Sequence, residues 1–273
     1  MCPKIPLLSG HLSRACSVML PNLGLGWVCL LFVVLTLGSM LTSYIVAFIH
    51  GHVYPFMPAV SDTGVLSPEK YIFRELNNLA SFLFIATCFV RYMQYQIVAE
   101  QCREESVKLS RLNKLTFGIG TLSGVSMTFV ANFEIQKTVS FHDVGAVSGF
   151  SGALVYCWLQ TLMSYRLRDH GVINSTAVCH TRTMLSTIMT LTFIIFLGFQ
   201  AKSHWDWDRV RPNYHFLAKL HWGPEDPGYV SHVISNLSEW SYSAAFLLFV
   251  LTFLTEFKSI RITSDISSSE CWA

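Results

Sequence analysis

The stretch Leu25–Ile49 carries no charged residue, and this feature most narrows what the chain can become. An apolar run of about 20 residues is the length of a helix that crosses the hydrocarbon core of a bilayer, where every backbone amide must find its partner inside the helix. Five further runs follow, Tyr71–Met93, Leu115–Ala131, Val144–Tyr165, Met184–Ala201 and Tyr229–Phe257. The expected fold class is all-α: a polytopic membrane helical bundle with six transmembrane helices. The second run opens with Arg74, Glu75, Asn77 and Asn78, and the third is short and rich in glycine. A five-span alternative that drops the third run puts the termini on opposite sides.

Composition agrees with a membrane protein. Charged residues make up 13% of the chain, where a soluble domain carries about a quarter. Twenty Phe, ten Tyr and seven Trp suit lipid and its interface. A net charge of +2 with no basic run argues against a nucleic-acid partner. The expected organisation is a cytosolic segment over 1–24, a six-span membrane domain over 25–257 and a cytosolic, Ser-rich tail over 258–273. The first run, long enough to span and preceded by an extended segment, reads as an uncleaved signal anchor rather than a cleavable signal peptide.

Positive flanks stay cytosolic. With the N-terminus inside, twelve Lys and Arg fall on the cytosolic side, Arg91 and Arg182 among them, against seven on the other side. That favours cytosolic N- and C-termini. Cys2, Cys16, Cys102, Cys179 and Cys271 fall on the same cytosolic side, and the loops placed opposite hold no thiol, so no disulfide framework is needed. Cys16, Cys102 and Cys179 lie where palmitoylation occurs, although plain thiols are the simpler reading. The sequons at Asn174 and Asn236 fall in a cytosolic loop and inside a span, so neither is expected to carry glycan. Tyr95-Gln96-Ile97-Val98 fits a tyrosine-based sorting signal, with an interfacial tyrosine as the preferred reading.

Two small-residue pairs, Gly120 with Gly124 and Gly145 with Gly149, let helices approach closely. They mark either the face of a homo-oligomer or packing inside one chain, and internal packing is favoured. The candidate site is a polar cluster on the non-cytosolic side: Asn132, His142, Asp143, His232, Asn236 and Glu239. His232, Asn236 and Glu239 recur at helical spacing and share one face. Ionisable groups inside a membrane usually face the bundle interior and pair. A network that fixes helix register is the preferred reading, ahead of a ligand or ion site and of catalysis. No metal-ligand spacing and no nucleophile elbow is present, so no metal, cofactor or catalytic set is expected. The segment Lys202–Gly228, with Trp205, Trp207 and Trp222, reads as a loop that caps the bundle at the interface.

Several short segments carry a family resemblance. They are Pro55, Pro58 and Ser61-Asp62-Thr63-Gly64 followed by Pro68-Glu69; Val130-Ala131-Asn132-Phe133; His142-Asp143-Val144-Gly145-Ala146; Leu220-His221-Trp222; Pro224-Glu225-Asp226; Tyr229-Val230; His232; and Glu239-Trp240. In this order the chain resembles the DRAM (damage-regulated autophagy modulator) branch of the Frag1/DRAM/Sfk1 family over about 25–260. The segment Met1–Gly24 is longer than that branch leads one to expect. The resemblance implies a six-span protein of lysosomal or late endosomal membranes that promotes autophagy and, in some members, cell death. Other branches are tied to GPI-anchor remodelling in the Golgi and to phosphoinositide regulation at the plasma membrane.

The expected function is thus a non-enzymatic membrane modulator of autophagy. Its partners are membrane lipids and membrane or cytosolic proteins, with the loop Glu100–Lys114 as the natural contact for cytosolic machinery. The rivals are a transporter or channel subunit using His142, Asp143, His232 and Glu239, and a lipid-modifying enzyme.

Overall fold

The computed structural model describes residues 24–101, 106–133, 139–169, 175–212, 216–258 and 260. Six long helices make up the bundle: α1 Gly26–Ile49, α2 Glu69–Gln101, α3 Ser106–Asn132, α4 Val139–Asp169, α5 Thr176–Val210 and α6 Tyr229–Leu251. A short α7, Leu254–Phe257, continues α6 after a turn, and 3₁₀ turns occupy Ser61–Gly64 and Phe216–His221. Five of the six long helices are long and apolar enough to cross a membrane, namely α1, α2, α4, α5 and α6. The sixth, α3, has the length (27 residues), but Lys108, Arg111, Asn113 and Lys114 dilute its first turns. It packs along both α2 and α4, inside the same bundle.

The core runs down the middle of the bundle. Phe246 of α6 meets Phe32 of α1 and Phe84 of α2 edge to face at 5.9 and 5.2 Å, and the Phe32 and Phe84 rings lie tilted at 5.5 Å. Such aromatic pairs add roughly 0.5–1.5 kcal/mol each beyond their buried area. Many large side chains on the outer helix faces, such as Phe82 and Ile194, are exposed in the isolated chain. This is the surface lipid is expected to cover.

The glycines place the helices at close range within one chain. A β-carbon at Gly145 would lie 2.7 Å from Cβ of Phe129 and 3.0 Å from the carbonyl oxygen of Ser126, so α4 rests on the backbone of α3 there. At Gly149 it would meet Met127 of α3; at Gly124, Ile85 of α2; at Gly120, both Cys88 of α2 and Tyr156 of α4. All four face neighbouring helices of the same chain.

Several expectations need correction. The segment after span five is not a loop from Lys202, because α5 continues to Val210. Tyr95 is fully buried in α2, where its hydroxyl accepts from Arg91 at 2.7 Å, so it offers no accessible sorting signal. Cys179 is also buried, which leaves no room for an acyl chain. Arg91 and Arg182 are not solvent-facing flanks. Both are fully buried and converge on Glu256 of α7. Asn174, Arg103, Cys2, Cys16, Cys102 and Cys271, with the segments over 1–23 and 261–273, lie outside the described residues.

Candidate functional site

The end of the bundle away from Leu25 and α7 is built around the segment between α1 and α2. Helix α6 holds that segment through three side chains. Asn236 Nδ2 donates to the Met57 carbonyl at 2.8 Å, Trp240 Nε1 donates to the Pro58 carbonyl at 3.0 Å, and the Val60 N–H donates to Glu239 Oε2 at 3.0 Å. From the other side, Tyr44 donates to the Pro55 carbonyl and Ser43 of α1 bonds Thr63 at 2.9 Å. Irregular backbone at the edge of a membrane has to find such partners, since each unpaired buried amide costs about 1–3 kcal/mol.

The cap over this segment is centred on Trp222. Its ring stacks on His232 at 4.3 Å and meets Trp207 edge-on at 4.6 Å, while its N–H donates to the Pro227 carbonyl. Trp207 and Trp222 are buried, whereas Trp205 is exposed. The cap is therefore a small packed core, with only Trp205 free to face the interface. Gly228 starts α6 at φ +77°, and a β-carbon there would lie 2.7 Å from the Ser203 carbonyl oxygen, so this turn needs glycine.

The sequence-derived cluster divides into parts. His232, Asn236 and Glu239 are buried on one face of α6, and Asn236 bonds His232 Nε2 at 3.0 Å. His142 is buried at the start of α4, with Nδ1 3.2 Å from the Phe133 carbonyl oxygen. Asn132 stands apart: it is exposed and exchanges two amide bonds with Asn78 of α2, at 2.8 and 3.2 Å. Two adjoining cavities gather His142, Asp143, Glu239 and His232 along their walls, and Asn236 lines neither. The inner one, about 120 Å³, is lined by His142, Asp143, Asn77 and Glu239. The outer one, about 440 Å³, is lined by Asp143, Asp62, His204, Lys219, Trp222 and His232. Asp143, Ser61 and Gln200 belong to both walls.

Asp62, His204 and Lys219 were not singled out as site residues from the sequence. The available signal was their company: Asp62 is the single carboxylate in a long uncharged stretch, and Lys219 sits between apolar neighbours. Lys219 Nζ lies 3.0 Å from His204 Nδ1 and 3.3 Å from Asp208. Among the described residues, no three His, Cys, Asp or Glu converge in a way that could hold a metal ion.

Asp62 lies outside the helices, and burial pushes its carboxyl up to about 7, against the smaller lowering effects of the Ala59 backbone and Lys219. A carboxyl raised in the folded state binds its proton more tightly there than in the unfolded chain. Its contribution is fully present below the unfolded value near 3.8 and is lost as pH rises through about 7. Wild-type protein is thus expected to melt higher at pH 5 than at pH 7.5, and Asp62→Asn should shrink that difference. Thermal melting in detergent at both pH values checks it; an unchanged pH difference in the variant would sink the assignment.

Comparison with known proteins places this geometry in context. Residues 24–260 match the family described as the Frag1/DRAM/Sfk1/Cwh43P N-terminal domain. DNA damage-regulated autophagy modulator protein 2 of Bos taurus is 35% identical over 243 residues, covering 88% of this chain and 86% of that protein. DNA damage-regulated autophagy modulator protein 1 of Mus musculus is 30% identical over 246 residues, covering 89% and 96%. A more distant relative, transmembrane protein 150A of Xenopus laevis, is 23% identical over 139 residues, covering 51% and 48%. No solved structure matches. The chain belongs to the Frag1/DRAM/Sfk1 family, and its similarity extends to the autophagy modulators of that family over most of its length.

Proposed function

We propose that this protein modulates autophagy from lysosomal or late endosomal membranes, acting through protein partners and without enzymatic activity of its own. The observation that carries the reading is the similarity over 88–89% of the chain to relatives named as autophagy modulators. The site supports it in a second way. Asn236, Glu239 and Trp240 are committed to backbone partners in the Met57–Val60 segment, which suits a scaffold more than a moving proton or ion path. The start of α1 and the short α7 lie at the opposite end of the bundle from the cavities, and that end is the one proposed to face cytosolic machinery.

The test is autophagic flux and localisation in cells lacking the gene and re-expressing the tagged chain. Lysosomal co-localisation with altered flux is the expected result. Golgi or plasma-membrane residence with unchanged flux would overturn the proposal. Ionic current or solute flux in proteoliposomes, abolished by Glu239→Gln, would establish the transporter reading instead.

A further inference from the structure

The outer cavity is shaped and charged for one kind of guest. Its upper wall holds Asp62 and Asp143 together with Lys219 and His232. Below them, toward the bundle centre, it is lined by Ala146 and Val147 of α4 and by Phe196 and Leu197 of α5. From His204 to Leu197 is seven residues of helix, so the lining changes from polar to apolar over about 10 Å. Val147 and Leu197 are exposed on the outer faces of the two helices, so the cavity opens sideways between α4 and α5, where lipid is expected. A volume of about 440 Å³ falls in the usual range of roughly 300–1,000 Å³ for a ligand site.

One buried donor in this wall has no partner. Asn236 Nδ2 faces the Met57 carbonyl, which can only accept, so the same amide also donates to His232 Nε2. The neutral imidazole then carries its proton on Nδ1. His232 is 7% exposed, and its Nδ1 lacks a hydrogen-bond partner. That N–H is closed off from the cavity, so the anionic group of a guest is drawn by the Lys219 ammonium in the same wall.

We propose that this cavity binds the headgroup of a primary-amine, zwitterionic phospholipid, phosphatidylethanolamine by chemistry, with the acyl chains leaving between α4 and α5. The phosphate lies toward Lys219, and the ammonium toward Asp143 and Asp62. A primary ammonium donates hydrogen bonds to carboxylates; a choline has no N–H to give. Trp222 is already stacked on His232 and met edge-on by Trp207, so the cavity does not present the open aromatic cage that quaternary ammonium groups favour. The site goes beyond the autophagy reading and stands or falls separately from it, because the test below needs no cell.

The experiment is native mass spectrometry of the purified full chain in detergent, titrated with palmitoyl-oleoyl phosphatidylethanolamine, the matching phosphatidylcholine, and soluble O-phosphoethanolamine. The ethanolamine lipid should bind at least about tenfold tighter than the choline lipid, the factor expected of one charge-assisted hydrogen bond. Asp143→Asn should erase most of that preference. Leu197→Trp, at the lipid-facing mouth, should weaken both lipids. Asp143 and Leu197 are exposed helix positions, so matched melting curves separate lost binding from lost fold. Equal affinity for the two lipids, or a preference that survives Asp143→Asn, would overturn the headgroup assignment. Competition by O-phosphoethanolamine at lipid-like concentrations would overturn the lipid source.

Discussion

Replacing Glu256 with methionine is expected to destabilise this protein more than almost any other single change. The Arg91 and Arg182 guanidinium groups are fully buried and converge on this one carboxylate from α2 and α5. Their remaining N–H groups reach Gln160 at 3.0 Å, Tyr95 at 2.7 Å, Ser164 at 2.6 Å and Thr252 at 2.9 Å, and both guanidiniums lie over the Phe253 ring. Without Glu256, two buried like charges face each other without the carboxylate that both bind. Removing one partner of a buried pair costs about 3–5 kcal/mol, a large part of the roughly 5–15 kcal/mol by which proteins are usually stable. The triple variant Arg91→Met, Arg182→Met, Glu256→Met removes the charges together and should recover most of the loss, since apolar replacement of a whole buried ion cluster is often neutral. Thermal melting in detergent checks both. A single variant that melts like wild type, or a triple variant worse than the single, would refute this account.

The second large effect is expected at Gly145. Leucine there must displace the α3 backbone at Ser126 and Val130, because those atoms lie within 3.0–3.2 Å of where a β-carbon would sit. Overpacking of this kind typically costs about 1–3 kcal/mol, and more where backbone must move. Gly118, with nothing within 4 Å of the corresponding position, provides the control, and Gly118→Leu should melt close to wild type. The two readings of the glycine pairs predict different readouts. If Gly145 and Gly149 pack α4 on α3, Gly145→Leu lowers the melting temperature and leaves the oligomeric state alone. A variant that dissociates an oligomer at unchanged melting temperature would restore the dimer-face reading.

Much of the candidate site was legible before the structure, and the reason is geometric. His232, Asn236 and Glu239 share a face because a helix repeats every 3.6 residues, so their spacing alone put them together. Nothing in that spacing named their partners. Glu239 meets the amide of Val60 across 179 positions of sequence, and the Trp240 ring meets Pro58 across 182. Asn132 lies near the cluster in sequence pattern, yet a turn of α3 points it at Asn78 instead. Trp207 and Trp222 looked like interfacial anchors because tryptophan favours that depth. Only the packing of α5 against the segment before α6 buries them around a shared centre. The arginine cluster was hidden in the same way: Arg91 and Arg182 sit near the ends of apolar runs, where solvent-facing cations are common, while their carboxylate partner lies 165 and 74 positions on.

The sequence by itself determined that this is an all-helical membrane bundle. In hydrocarbon each spanning segment must satisfy its own backbone hydrogen bonds, so the apolar runs specify helices locally, one at a time. The tertiary structure alone decided which polar side chains meet. It put Glu256 between two arginines, closed Trp222 into a core, and opened a cavity between α4 and α5 with Asp62, Asp143 and Lys219 in its polar wall. Those meetings depend on how side chains far apart in sequence pack, and no local periodicity encodes that.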